Sequence, residues 1–84
     1  MFLVYILFSE STGRFYVGHT SDILDRVQRH NDGRSTSTKS GRPWTLVFTE
    51  PYESRAEAMK REKQIKGWKS ATAIHRLIGE RPDL

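Results

Sequence analysis

The sequence predicts a small α+β fold: a three-stranded antiparallel sheet flanked by helices, in the order β-β-α-β-α-α. Three observations carry that expectation. The run Phe2-Leu3-Val4-Tyr5-Ile6-Leu7-Phe8 is short for a helix and apolar on both alternating faces, as a central strand should be. Turn chemistry from Ser9 to Arg14 joins it to a second β-rich stretch, which makes an antiparallel hairpin. Later segments then carry helix-start signals rather than further hairpins. At 84 residues there is room for a single domain, residues 1–84, with a small core.

The elements follow in order. Phe15-Tyr16-Val17-Gly18 is the second strand. Thr20 or Ser21 caps the first helix, whose opening turn holds Asp22 and whose apolar side is Ile23, Leu24 and Val27. Asn31-Asp32-Gly33 is its stop signal. Gly33 to Pro43 is polar and reads as a mobile loop. A third strand, Trp44 to Glu50, alternates Trp44, Leu46 and Phe48 against Thr45, Val47 and Thr49, and closes at Pro51. Ser54 and Glu57 form a capping box for a helix from Arg55 to Lys66, with Gly67 as C-cap. Ser70 caps a last helix to about Ile78, with Ala71, Ile74, Leu77 and Ile78 on its apolar side; Arg81, Pro82 and Asp83 are a frayed end.

Composition narrows the class. There is no cysteine, hence no disulfide framework, thiolate zinc site or cysteine nucleophile. The apolar run at the N-terminus lacks a basic region before it and a small-residue cleavage pattern after it, so a cytoplasmic protein is expected. Charge is unevenly placed. Residues 1–31 are neutral, whereas residues 32–84 hold 11 cations and 7 anions. Arg55, Lys60, Arg61, Lys63, Lys66 and Lys69 face only Glu57 and Glu62 between residues 55 and 69. Such a stretch holds polyanions by releasing their counterions, or simply keeps a helix solvated.

Four features break the local pattern. Tyr5 lies between Leu3 and Leu7 on one face of a core strand, so its phenol needs a polar partner or a cleft. Tyr16 lies on the paired strand and shares its face with Gly18, which leaves room for close approach to the backbone; both are also compatible with core tyrosines. Arg26 and His30, four apart on the first helix, form either a solvent-facing ridge or a grip for phosphate beside a proton carrier. Glu62 is the sharpest anomaly. At about 100° per residue it falls in one stripe with Ala58 and Ile65, with Met59 and Arg55 beside it, on the face that should pack against the sheet. A carboxylate there needs a cation, such as Arg26, or a metal such as Mg²⁺, which takes one or two carboxylates and leaves its other positions to water and phosphate.

The ordered set Val4-Tyr5-Ile6, Tyr16-Val17-Gly18, Arg26, His30 and Glu62 resembles the GIY-YIG nuclease family, most closely its small stand-alone bacterial members. Gly18-His19-Thr20-Ser21-Asp22 and Arg29-His30-Asn31-Asp32-Gly33 strengthen the likeness, which covers roughly residues 2–66. Two positions depart from the family name: Val4 stands in place of Gly and Val17 in place of Ile. The first should alter a backbone contact while leaving the tyrosine intact.

The resemblance implies metal-dependent hydrolysis of a DNA phosphodiester. Its site residues would be Tyr5, Tyr16, Arg26, His30 and Glu62, with Glu62 holding one Mg²⁺ or Mn²⁺ ion. Tyr5 would take the proton of the attacking water, its pKa of about 10 lowered by the metal and nearby cations. Arg26 would balance charge on phosphorus, and Tyr16 and His30 would position the water, the phosphate or Tyr5. Arg34, Lys39 and Arg42 in the loop, and Lys60, Lys63 and Lys66 on the basic helix, would track the nucleic acid, with Trp44 or Trp68 stacking on an unpaired base. No second reading element is present, which favours single-stranded, branched or distorted DNA. The alternative is a non-catalytic nucleic-acid-binding module built on residues 55–69.

Overall fold

A computed structural model describes residues 1–79. Strand β1 (Phe2–Ser9) is the middle of the three-stranded sheet, with β2 (Arg14–Thr20) and β3 (Trp44–Tyr52) antiparallel on either side. Its two apolar faces explain the position, because only a central strand covered on both sides can bury them. Val4, Ile6, Val17 and Phe48 pack on one face against Ala58 and Ile65 of helix α2 (Arg55–Gly67), with Ile74, Leu77 and Ile78 of helix α3 (Ala71–Gly79) beside them. Tyr5, Leu7 and Trp44 pack on the other, against Ile23 and Val27 of helix α1 (Ile23–Asn31). The order of elements matches the α+β expectation.

Several local expectations are corrected. The N-cap of α1 is Asp22, whose carboxylate accepts from the Asp25 amide at 3.1 Å. Thr20 ends β2 instead, and its hydroxyl braces the turn by accepting from the Asp22 amide at 3.0 Å. At the other end of α1, Gly33 at φ 77° lets its own amide reach the His30 carbonyl, while the Arg34 amide reaches the Arg29 carbonyl. Residues 33–43 are not an unstructured loop: Thr36–Gly41 form a 3₁₀ helix whose Thr38 and Gly41 are buried. Helix α2 runs through Gly67 to a Trp68 C-cap, and the left-handed residue after it is Lys69, at φ 50°. The frayed end at residues 81–83 lies outside the described residues.

Strand β3 departs most from its alternating pattern. Ile6 pairs with Phe48 but Leu7 pairs with Leu46, so Val47 is an extra residue in the ladder. That bulge sends Trp44 and Phe48 to opposite faces of the sheet, although their spacing placed them on one. Trp44 is buried, its indole N–H donates to the Thr38 carbonyl at 2.7 Å, and its backbone is clasped by Asn31. It is a core residue, not a platform for a base. Pro51 extends the strand beyond its expected end, which an edge strand tolerates.

Candidate active site

Strand periodicity places Tyr5 of β1 and Tyr16 and Gly18 of β2 on the α1 side of the sheet. His19, the next residue on β2, points to the α2 side. Because β2 is an edge strand, the two sides meet around its border. There Tyr5, Tyr16, Gly18, His19, Arg26 and Glu62 line one cleft of about 120 Å³. Four of the five catalytic candidates therefore face a shared space, and the fifth, His30, touches it through Tyr5.

Tyr5 is fully buried, and its hydroxyl lies 2.9 Å from His30 Nε2. His30 is buried as well, which removes the solvent-ridge reading; its Nδ1 lies 2.7 Å from Thr38 Oγ1. The Thr38 hydroxyl is turned toward the Ser35 carbonyl, 3.3 Å away. With that proton committed, Thr38 accepts from His30 Nδ1–H, and His30 Nε2 is left to accept from the Tyr5 hydroxyl. Burial, followed by Arg26 and Arg29, lowers the His30 pKa from its ordinary value, so the ring is neutral.

The electrostatics of Tyr5 run against the expected lowering. Burial first, then Tyr16, raise its pKa well above the ordinary value, with Arg26 opposing them. The phenol is held protonated by the protein, hydrogen-bonded to His30. Tyr16 packs at its side, with its ring centroid 6.2 Å from that of Tyr5 and 4.7 Å from that of His30.

Arg26 is half-buried, and its Nε is buried with no hydrogen-bond partner. The residue also lines the cleft, where its fixed positive charge is suited to an incoming phosphate. It is not the partner of Glu62. That carboxylate instead accepts from Lys66 Nζ on Oε2 and meets His19 Nδ1 at 2.6 Å on Oε1. Burial pushes its pKa up, but the hydrogen bonds from Lys66 and His19 outweigh burial and hold it below the ordinary value. Glu62 is thus ionised, with side-chain exposure of 17%.

Each carboxylate oxygen has a second lone pair beyond those used by His19 and Lys66, so Glu62 fits a hard divalent ion of the Mg²⁺ type. Among the described residues no group of three or more acidic or histidine side chains forms a fuller cage. A carboxylate and a guanidinium lining one cleft suit an ion shared with phosphate and water. His19 was the site residue missed in the sequence: it stood only within the Gly18–Asp22 run, with no role given to it, and the carboxylate it meets lies 43 positions away.

Val4 is buried on the α2 side, among Ile6, Val17 and Phe48. Replacing glycine there adds a core side chain on the face opposite Tyr5 and leaves the tyrosine's packing alone.

The basic candidates are dispersed. Lys66 is at the cleft, with Nζ 5.8 Å from the centroid of the Tyr16 ring. Lys60 and Lys63 are exposed along α2. Arg34 pairs with Asp32, while Arg42 lies against Gly33 and donates to the Lys39 carbonyl at 2.9 Å. Trp68 is half-buried under the Arg61 guanidinium. No helix among the described residues is long and apolar enough to cross a membrane.

Residues 1–75 match the family described as the GIY-YIG catalytic domain. The chain is 43% identical over 72 residues to UPF0213 proteins of Staphylococcus aureus strains Mu50 and N315, covering 84% of this chain and 87% of each relative. Its structure is similar to the solution NMR structure of the UPF0213 protein BH0048 from Bacillus halodurans, with a TM-score of 0.60 and 32% identity across 96% of this chain and 86% of that one. With the motif tyrosines side by side on one face of the β1–β2 hairpin, and the match extending over nearly the whole chain, the protein belongs to the GIY-YIG nuclease family.

Proposed function

We propose that the protein is a divalent-metal-dependent endonuclease that hydrolyses phosphodiester bonds in single-stranded, branched or distorted DNA. The observation that carries this reading is the meeting of Tyr5, Tyr16, Arg26 and Glu62 around one small cleft, with a neutral His30 bonded behind Tyr5.

Proton transfer follows the hydrogen bonds. A water in the cleft gives its proton to Tyr5 Oη as Tyr5 gives its own to His30 Nε2, so the proton removed from water ends on the imidazole. The phenol never has to ionise in isolation, which its raised pKa would oppose. The oxygen left behind attacks phosphorus, the P–O3′ bond breaks, and the departing 3′-oxygen takes a proton from solvent. Arg26, which lines the cleft, meets the charge that gathers on the phosphoryl oxygens. Tyr16 walls the cleft and fixes where the water and phosphate sit.

Glu62 would hold the Mg²⁺ or Mn²⁺ ion, which when bound supplies charge relief at the leaving and non-bridging oxygens. His19 keeps the Glu62 carboxylate aimed, as hydrogen-bonded ligands generally are. A small cleft at an edge strand admits a flexible strand more readily than a straight duplex, which favours unpaired or distorted substrates.

The test is incubation of the wild-type protein, with Mg²⁺ or Mn²⁺, on single-stranded, duplex and flapped oligonucleotides. Cleavage products that disappear with EDTA, and with Glu62→Ala or Tyr5→Phe in folded protein, are expected. Products from Glu62→Ala at the wild-type rate would overturn the mechanism. Salt-sensitive binding with no products on any substrate would leave a nucleic-acid-binding module instead.

A further inference from the structure

A second polar cleft, of about 190 Å³, adjoins the first and shares Tyr16 with it. Thr12, Arg14, Ser37 and Ser40 rim it, and Trp44 forms part of its wall. None of its lining residues is acidic. Arg14 is exposed and forms no ion pair among the described residues. The rim therefore offers one uncommitted guanidinium and the Ser37 and Ser40 hydroxyls, Thr12 giving its own proton to Ser9 Oγ at 2.9 Å, and repels nothing that carries negative charge.

Its direction from the first cleft is set by the strand. Arg14, Tyr16 and Gly18 alternate onto the same side of β2, so the line from the catalytic cleft to Arg14 runs straight along the sheet edge. Four residues of strand span about 13 Å, the length of a few stacked nucleotides at about 3.4 Å each. Lys66 lies near Tyr16 between the two ends, and holds a positive charge over the path.

We infer that this second cleft is a backbone subsite for a nucleic-acid strand: Arg14, with Ser37 and Ser40, binds a phosphodiester a few nucleotides from the one that is cut, against the wall that Thr12 forms. The strand then follows β2 rather than the exposed cations of α2. The inference rests on the nuclease reading for which strand enters the cleft, but it is tested by binding alone.

A fluorescently labelled single-stranded DNA oligonucleotide is titrated by anisotropy, in EDTA, over a range of salt. Wild-type protein should bind with a salt dependence that Arg14→Gln makes shallower by about 0.7 in the log–log slope, the loss of one strand phosphate contact. Affinity should fall about tenfold, and Arg14→Lys should retain the slope. Arg76→Gln removes an equal charge on the exposed side of α3, beside Trp68 and outside the second cleft, and should leave the slope unchanged. Backbone amides of Thr12, Ser37 and Ser40 should shift in NMR spectra when the oligonucleotide is added. Absence of wild-type binding, an unchanged slope in Arg14→Gln, an equal change in Arg76→Gln, or amide shifts that avoid these three residues would each overturn the subsite. Cleavage by wild-type protein together with an unaffected Arg14→Gln slope would reject the subsite and leave the nuclease reading standing. A salt slope lost with Arg14, in a protein that cuts nothing, would do the reverse.

Discussion

Gly18 stands directly opposite Tyr5 in the β1–β2 ladder, and a Cβ added to it would lie 2.6 Å from the Tyr5 hydroxyl oxygen. The restriction is one of space. Tyr5 is fully buried and held from behind by His30, so the phenol has nowhere to retreat. Gly18→Ala should destabilise the fold by about 1–3 kcal/mol through overpacking and lower cleavage about 100-fold through misplacement of the phenol. Thermal unfolding and cleavage rates measure the two effects separately. A wild-type rate would mean that the hydroxyl's position is not critical.

Tyr5→Phe keeps the packing but removes the O–H that His30 Nε2 accepts. A buried acceptor without its donor costs about 1–3 kcal/mol, to be read from denaturant unfolding. Cleavage should fall by about 10²–10⁴-fold, the usual worth of a proton-transfer group. Tyr16→Phe should lose less, since the Tyr16 hydroxyl does not contact His30 through a comparable hydrogen bond. Equal losses would move the base assignment away from Tyr5.

Stability should depend on pH through His30. Its folded pKa is lowered from 6.5, so between that value and the folded pKa the unfolded chain binds more protons. The contribution of neutral His30 is therefore complete above about 6.5 and is lost as the pH falls through the folded pKa. Glu62, lowered from 4.5, adds a second loss only in more acid solution. Melting temperatures recorded from pH 8 to pH 4 (about one unit per step) should show the first decline in wild type and not in His30→Gln. A parallel decline in the variant would assign it to other groups.

Removal of His19 should be felt at Glu62. His19→Ala deletes the 2.6 Å contact to Oε1, leaving Lys66 as the carboxylate's partner. Mn²⁺ affinity, followed by electron paramagnetic resonance, should weaken by about 10–100-fold, as for other residues that orient a metal ligand. His19→Asn, which keeps a donor, should recover part of it. Unchanged affinity would separate this hydrogen bond from metal binding.

What could be read from the chain alone follows the range of the interactions. Strand β1, the Ser54–Glu57 cap and Glu62 on the α2 stripe are each set by neighbours a few residues away, and periodicity exposes them. The bulge at Val47 is different, because an extra residue is defined only against the partner strand. The burial of His30 depends on the 3₁₀ helix that brings Thr38 over it, and serine- and threonine-rich composition suggested a loop there. The same long range hid His19. Its neighbours on β2 said nothing about the carboxylate it would meet on α2. The motif tyrosines were legible as misfits, but the sign of the Tyr5 shift was not, since it depends on how completely the folded chain excludes water around the ring.

The 3₁₀ helix has neighbouring residues turned to different tasks: Ser37 and Ser40 rim the outer cleft, while Thr38 sets the tautomer of His30. On the proposed reading, recognition and acid–base chemistry are therefore mechanically linked within six residues. Engineering this segment toward a new substrate will trade selectivity against turnover, unless the inward-facing threonine and the carbonyl it leans on are left as they are.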